Sequence, residues 1–151
     1  MDAEVIVVGG GLASSLTALG LARRGHEVLV VDRRPFPRDK VCGEGLMPHG
    51  VAALQGLGID PEPLGHRFHG IAYHAGGHSA VGHFPVGSGV GVRRLALDEA
   101  IHRVTRDTVE VRTDITVRGV GGEPGAMRVE TRSGPLRCRA VVGADGLHSR
   151  V

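Results

Sequence analysis

Two apolar runs set the frame of the N-terminal third. Glu4–Val8 and Glu27–Val31 are nearly continuous Val, Ile and Leu, the pattern of strands buried on both faces of a parallel sheet. Between them, Leu12–Arg24 carries Leu16, Leu19 and Leu21 with Ala18 and Ala22 at near-helical spacing, and Gly25 follows as a stop signal. The spacing predicts a strand–loop–helix–strand unit of about 30 residues. Arg33–Lys40 is charged and Pro-rich, hence a loop.

Beyond that unit the periods are shorter. Pro48 starts a short helix through Leu54, and Gly56 and Gly58 end it. Phe68–Phe84 reads as two strands broken at Gly76-Gly77, and Val86–Gly91 as irregular chain. Arg94–Val104 is a second good helix, with Leu97, Ala100, Ile101 and Val104 on one side. Val109–Arg112 is a short strand. Ile115–Val120, Met127–Thr131 and Leu136–Val142 form a three-stranded β-meander, reversing at Gly121-Gly122 and Ser133-Gly134. Alternation with Arg137 and Arg139 places Cys138 on an inner face with Leu136 and Ala140. The fold class is α/β: a Rossmann-like parallel sheet with a β-meander.

Composition narrows the classes. With 151 residues and 3% aromatics, the core must be built from Val, Leu, Ala and Ile. The net charge is +2 and no long basic run occurs, which argues against a nucleic-acid partner. No apolar run approaches the ~18 residues of a membrane span, so no stable membrane insertion is expected. The two cysteines, Cys42 and Cys138, form no CxxC pair, the pattern of free thiols in a cytoplasmic protein. His66, His69, His74, His78 and His83 share one region without metal-ligand spacing, so no metal is expected.

The chemistry sits in VVGGGLASS, residues 7–15. In a GxGxxG loop the first glycine makes the turn, the second lets backbone approach a pyrophosphate, and the third lets helix and strand pack. Gly9 and Gly11 hold the first two roles, and Ser14 stands at the packing position. Leu12 and Ala13 open the helix, whose N-terminus faces the phosphates. Asp32, at the end of the second strand, suits hydrogen bonds to a ribose diol, with Arg33 beside it. This unit alone does not separate NAD from FAD.

Three stretches carry a resemblance that does. VIVVGGGLASSLTALGLARRGHEVLVVDR resembles the N-terminus of the FAD-dependent oxidoreductases that include para-hydroxybenzoate hydroxylase-like (group A) monooxygenases, geranylgeranyl reductases and flavin-dependent halogenases. VRRLALD, residues 92–98, resembles the family's Arg-containing helix start. VGADGLHS, residues 142–149, resembles its "DG" motif. The family usually has Pro-Ala-Gly where this chain has Leu12-Ala13-Ser14. The resemblance implies a glutathione-reductase-like FAD-binding domain over 1–151, with 60–90 contributing to the start of a substrate domain. It also implies that Arg94 approaches the ribityl or phosphate region, and that Asp145 and Gly146 lie near the pyrophosphate. VCGEGLMP, residues 41–48, resembles the segment that lies beside the flavin in the geranylgeranyl reductase branch and in several tailoring monooxygenases. Cys42 and Gly43 are therefore counted as cofactor-binding.

The function so implied is an FAD-dependent monooxygenase, with NADPH or NADH as electron donor, acting on a hydrophobic or aromatic small molecule in secondary metabolism such as antibiotic biosynthesis. The rival is an FAD-dependent ene-reductase of the geranylgeranyl reductase type; a third class is a cyclase or binding protein with non-redox FAD. The resemblance covers only the FAD half of such proteins, so the fold is expected to be incomplete without a C-terminal remainder. A separate or nicked chain carrying that remainder is the expected partner. No catalytic residue is identified.

Overall fold

Val5–Val8 is VIVV, with no polar position, and all four residues are buried. In the computed structural model, which describes residues 1–151, this strand (β1) leads into α1 (Leu12–Ala22) and β2 (Val28–Val31). There follow β3 (Gly45–Leu46), α2 (Pro48–Gly56), a 3-10 turn at Glu62–Leu64, β4 (His66–Phe68), β5 (Gly70–Ala75), β6 (His78–His83) and β7 (Gly89–Gly91). The chain ends with α3 (Arg94–Thr108), β8 (Glu110–Arg112), β9 (Val117–Glu123), β10 (Ala126–Thr131), β11 (Leu136–Cys138) and β12 (Ala140–Gly143). It forms two units, Met1–Arg38 with Asp98–Val151, and Asp39–Leu97.

In the first unit the sheet order is β12-β1-β2-β8, and all three pairings are parallel. One face of β1 and β2 gives Ile6, Val8, Leu29 and Val31 to a core shared with Val129 and Cys138 of the meander. The other face gives Val5, Val7, Val28 and Val30, packed with Ala18 of α1. Both faces are therefore covered, which explains the continuous apolar runs. Gly25 ends the first helix region at φ +87°, its N–H donating to the Ala22 carbonyl.

The stretch expected as one strand, Leu136–Val142, is two. β11 pairs antiparallel with β10, placing Cys138 opposite Met127. β12 pairs parallel with β1, placing Val141 opposite Ile6. The hand-off occurs at Arg139, where the N–H groups of Arg139 and Ala140 both donate to the Glu4 carbonyl. Cys138 is buried as expected, but Ala140 is exposed. The first reversal of the meander is also displaced. It falls at Pro124-Gly125, with Gly125 at φ +90°, and Gly121-Gly122 lie within β9. Gly122 is required for another reason: a Cβ there would lie 2.4 Å from the Ala126 carbonyl oxygen.

The second unit is antiparallel. Its three-stranded sheet runs β3-β7-β4, and β5 and β6 form a separate hairpin. The segment expected to be irregular, Val86–Gly91, contains the central strand of that sheet. Gly-Val-Gly shows only one side chain, so its alternation is invisible in the sequence. Val90 is fully buried, and the unit's other buried apolar residues include Val51, Leu54, Ile59, Val92 and Leu97. Residues 60–90 all lie in this unit. No helix of the protein is long and apolar enough to cross a membrane.

Candidate functional site

The C-terminal ends of β1, β2 and β12 meet at one edge of the parallel sheet, with Val8 opposite both Val31 and Gly143. The loops that follow hold most of the expected residues. Gly9 donates its N–H to the Val31 carbonyl (2.8 Å), and Ala144 donates to the Val8 carbonyl (2.8 Å). Gly9 has φ +109°, and a Cβ on it would sit 2.3 Å from the Ala144 carbonyl oxygen and 2.9 Å from the Asp145 Cα. The first glycine thus makes the turn and also lets the Asp145-Gly146 loop close against it.

Gly11 behaves differently. It is the N-cap of α1 at φ −81°, a conformation open to any residue, and a Cβ there would meet nothing within 4 Å. The space beside it is open. No side chain caps α1, and its first turn carries no acid, so the helix's first N–H groups, around Leu12 and Ala13, are left for a ligand. Ser14 is fully buried, and its hydroxyl donates to the Gly11 carbonyl at 2.8 Å. Its polar atom is satisfied inside the turn, and the small side chain packs where the third glycine would. Open space, uncapped amides and positive helix end fit a pyrophosphate.

Asp32 is buried at the end of β2, where a ribose acceptor belongs. Its carboxylate is already held. The Arg34 N–H and Arg38 Nη1 donate to Oδ1, both at 2.8 Å, and Arg38 Nη2 donates to Oδ2 at 3.1 Å. The Arg38 guanidinium lies 3.9 Å above the Phe36 ring. That ring stacks on His102 at 4.4 Å and covers Gly10, whose Cβ would fall 2.2 Å from it. Arg38 Nε and His102 Nδ1 are buried without a hydrogen-bond partner. Burial, with Arg106 and Arg38 nearby, pushes the His102 imidazole below the usual histidine range, against the opposing pull of Asp32. None of these three residues was singled out by sequence. The signal available was slight: Phe36 is the one aromatic in an otherwise polar, Pro-rich loop.

Asp145 is held within its own turn by the Ser149 hydroxyl (2.6 Å) and the Arg150 N–H (2.7 Å). Burial opposes its ionisation, but these hydrogen bonds and the charge of Arg33 outweigh it and hold the carboxyl below the usual range. Arg33 and Gly146 are exposed, and Gly146 adopts φ +88°.

Cys42, Gly43 and Arg94 belong to the second unit, where the exposed Cys42 thiol and the Arg94 side chain come together. The Glu44 N–H and the Arg94 guanidinium, outweighing the effect of burial and aided by the Gly43 N–H, push the thiol below its ordinary pKa. Glu44 supports the loop at φ +56°, its carbonyl accepting the Val92 N–H at 2.8 Å.

Residues 4–44 match the family model described as FAD dependent oxidoreductase. The chain is 42% identical over 112 residues to a menaquinone reductase of Mycobacterium tuberculosis, covering 71% of the chain and 28% of that protein. It is 34% identical over 177 aligned positions to a kynurenine 3-monooxygenase of Salinispora arenicola, covering 98% of the chain and 37% of that protein. Among solved structures, the aromatic hydroxylase CabE from angucycline biosynthesis superposes with a TM-score of 0.80 at 26% identity, over 100% of the chain and 32% of CabE. The chain therefore spans roughly a third of the length of these relatives. The family match runs through the loop and the acid described above, and residues 4–44 carry the nucleotide-binding segment of the FAD-dependent oxidoreductases.

Proposed function

We propose that the protein is an FAD-dependent oxidoreductase acting on a hydrophobic or aromatic small molecule, with NADPH or NADH as electron donor. The observation that carries the dinucleotide reading is the contrast between Gly9 and Gly11, and the match of residues 4–44 to the FAD dependent oxidoreductase family favours FAD as that dinucleotide. The chain's own atoms crowd the first and leave the second open, at an uncapped helix end. Gly9, Gly11, Leu12 and Ala13 would hold the pyrophosphate and Asp32 a ribose hydroxyl. Arg33, Asp145, Gly146, Cys42, Gly43 and Arg94 are carried as further cofactor contacts. FAD, when bound, would supply the two-electron redox chemistry. The chain's part is to bind and orient it.

Within this class, monooxygenation is the first reading. Similarity to a kynurenine 3-monooxygenase and an aromatic hydroxylase extends over essentially the whole chain. Reduction without oxygen is the second. It is favoured by the higher identity to a menaquinone reductase and by the Cys42-Gly43-Glu44-Gly45-Leu46 loop. Stoichiometry decides between them: the full-length protein with NADPH or NADH and substrate consumes one O2 per product as a monooxygenase, and none in productive turnover as a reductase. Absence of any flavin absorbance near ~450 nm after reconstitution would remove both readings.

A further inference from the structure

A carboxylate offers roughly four lone-pair positions, and three of those on Asp32 are taken by groups of its own chain. Oδ1 accepts both the Arg34 N–H and Arg38 Nη1, and Oδ2 accepts Arg38 Nη2 alone. A ribose diol that chelates a carboxylate places one hydroxyl on each oxygen. Here Oδ1 has no place left, and Oδ2 has one.

The arrangement that fills Oδ1 is well supported. Two N–H groups of one guanidinium make a planar fork on the carboxylate, the geometry that orients as well as attracts. The fork is braced from the other side by the Phe36 ring, 3.9 Å from the guanidinium carbon. Phe36 is itself seated between Gly10 and His102. The backbone amide of Arg34 closes the same oxygen through a turn of two residues, independently of Arg38. Rotating the carboxylate to free Oδ1 would break two charge-assisted hydrogen bonds at a residue that is 8% exposed.

We infer that Arg38 is a specificity-determining positioning residue: by filling Oδ1 it leaves Asp32 to read one hydroxyl of the adenosine ribose, through Oδ2, and not the diol. This rests on the FAD reading above. Arg38 acts through Asp32 and through the orientation of its carboxylate, which a residue serving only the fold would not do.

The test uses the full-length protein, stripped of flavin, titrated with FAD and with two FAD analogues lacking the adenosine 2′- or 3′-hydroxyl, following flavin fluorescence. One analogue should bind about tenfold or more weaker than FAD, and the other within about threefold. In Arg38→Met, where Oδ1 is partly freed, the two analogues should weaken to a similar extent. Equal weakening by both analogues in the wild type, or loss of neither hydroxyl mattering, overturns the inference. So does an asymmetry that persists unchanged in Arg38→Met. Should that variant not fold, the wild-type pair of analogues decides alone. Failure of the wild type to bind FAD itself would instead bring down the FAD reading, a separate outcome from binding FAD without discriminating the hydroxyls.

Discussion

The missing side chain of Gly9 and the carbonyl of Ala144 share one volume: a Cβ on the first would lie 2.3 Å from the oxygen of the second. This contact ties the end of β1 to the end of β12, and so joins the first and last motifs of the sequence. Gly11, two residues on, has no such neighbour. The two glycines should therefore fail differently. Gly9→Ala combines the clash with a positive φ and should destabilise the protein by about 2 kcal/mol or more. Gly11→Ala should leave the melting temperature nearly unchanged and still weaken FAD binding, because its Cβ would enter the space left for phosphate. Thermal melts and flavin titrations of both variants check this; a Gly11→Ala protein that melts as early as Gly9→Ala contradicts it.

Gly10 occupies a position that the glycine motif leaves free, yet here a Cβ would meet the Phe36 ring at 2.2 Å and the Asp32 Cβ at 3.1 Å. Gly10→Ala should cost about 1–3 kcal/mol by overpacking. Phe36→Leu in the same chain should recover part of that cost, so the pair should be coupled by more than about 0.5 kcal/mol in a double-mutant cycle of chemical denaturation.

Cys42 should be the reactive thiol and Cys138 the silent one. The Glu44 N–H and Arg94 lower the first, which is exposed. Burial raises the second, which lies in the core of the parallel sheet. Iodoacetamide should label Cys42 first, with a rate midpoint below that of a free thiol. Arg94→Met should move that midpoint upward, since a cation favouring the thiolate is lost. An unchanged midpoint would remove Arg94 from the account.

His102 should make stability fall with acid. Its folded pKa lies below the usual value near 6.5, chiefly through burial and then Arg106 and Arg38. The unfolded chain therefore binds the proton more readily, and stability rises with pH between the folded and the unfolded pKa. The contribution is complete above about pH 6.5 and is lost as pH falls through the folded value. His102→Phe should flatten the fall of the melting temperature that sets in as pH drops below about 6.5 in the wild type.

The glycine loop, its helix and the acid at the end of β2 were legible because each is local. Apolar runs at Val5–Val8 and Val28–Val31 signal strands buried on both faces, and GGG between strand and helix signals a phosphate turn. The meander was legible as an element but misplaced in detail. Gly121-Gly122 look like a turn and are strand, because the close approach of the Ala126 carbonyl demands a glycine there. The break at Arg139 left no mark in composition: it exists because one carbonyl, that of Glu4, accepts from two successive amides. The short strand Gly89–Gly91 lacked the side chains that show a period.

The sequence by itself determined the α/β class, the parallel pair at its centre and the types of residue offered to a nucleotide, since these follow from periodicity and from backbone freedom at glycine. Only the tertiary structure decided how those residues are spent. It set Ala144 against Gly9, left Gly11 open and put Phe36 over Gly10. It also turned Arg38, one arginine among many in a polar loop, onto both oxygens of Asp32. The physical reason is the same in each case: these are contacts between segments that no local period encodes, and they are fixed by where the sheet brings the ends of its strands.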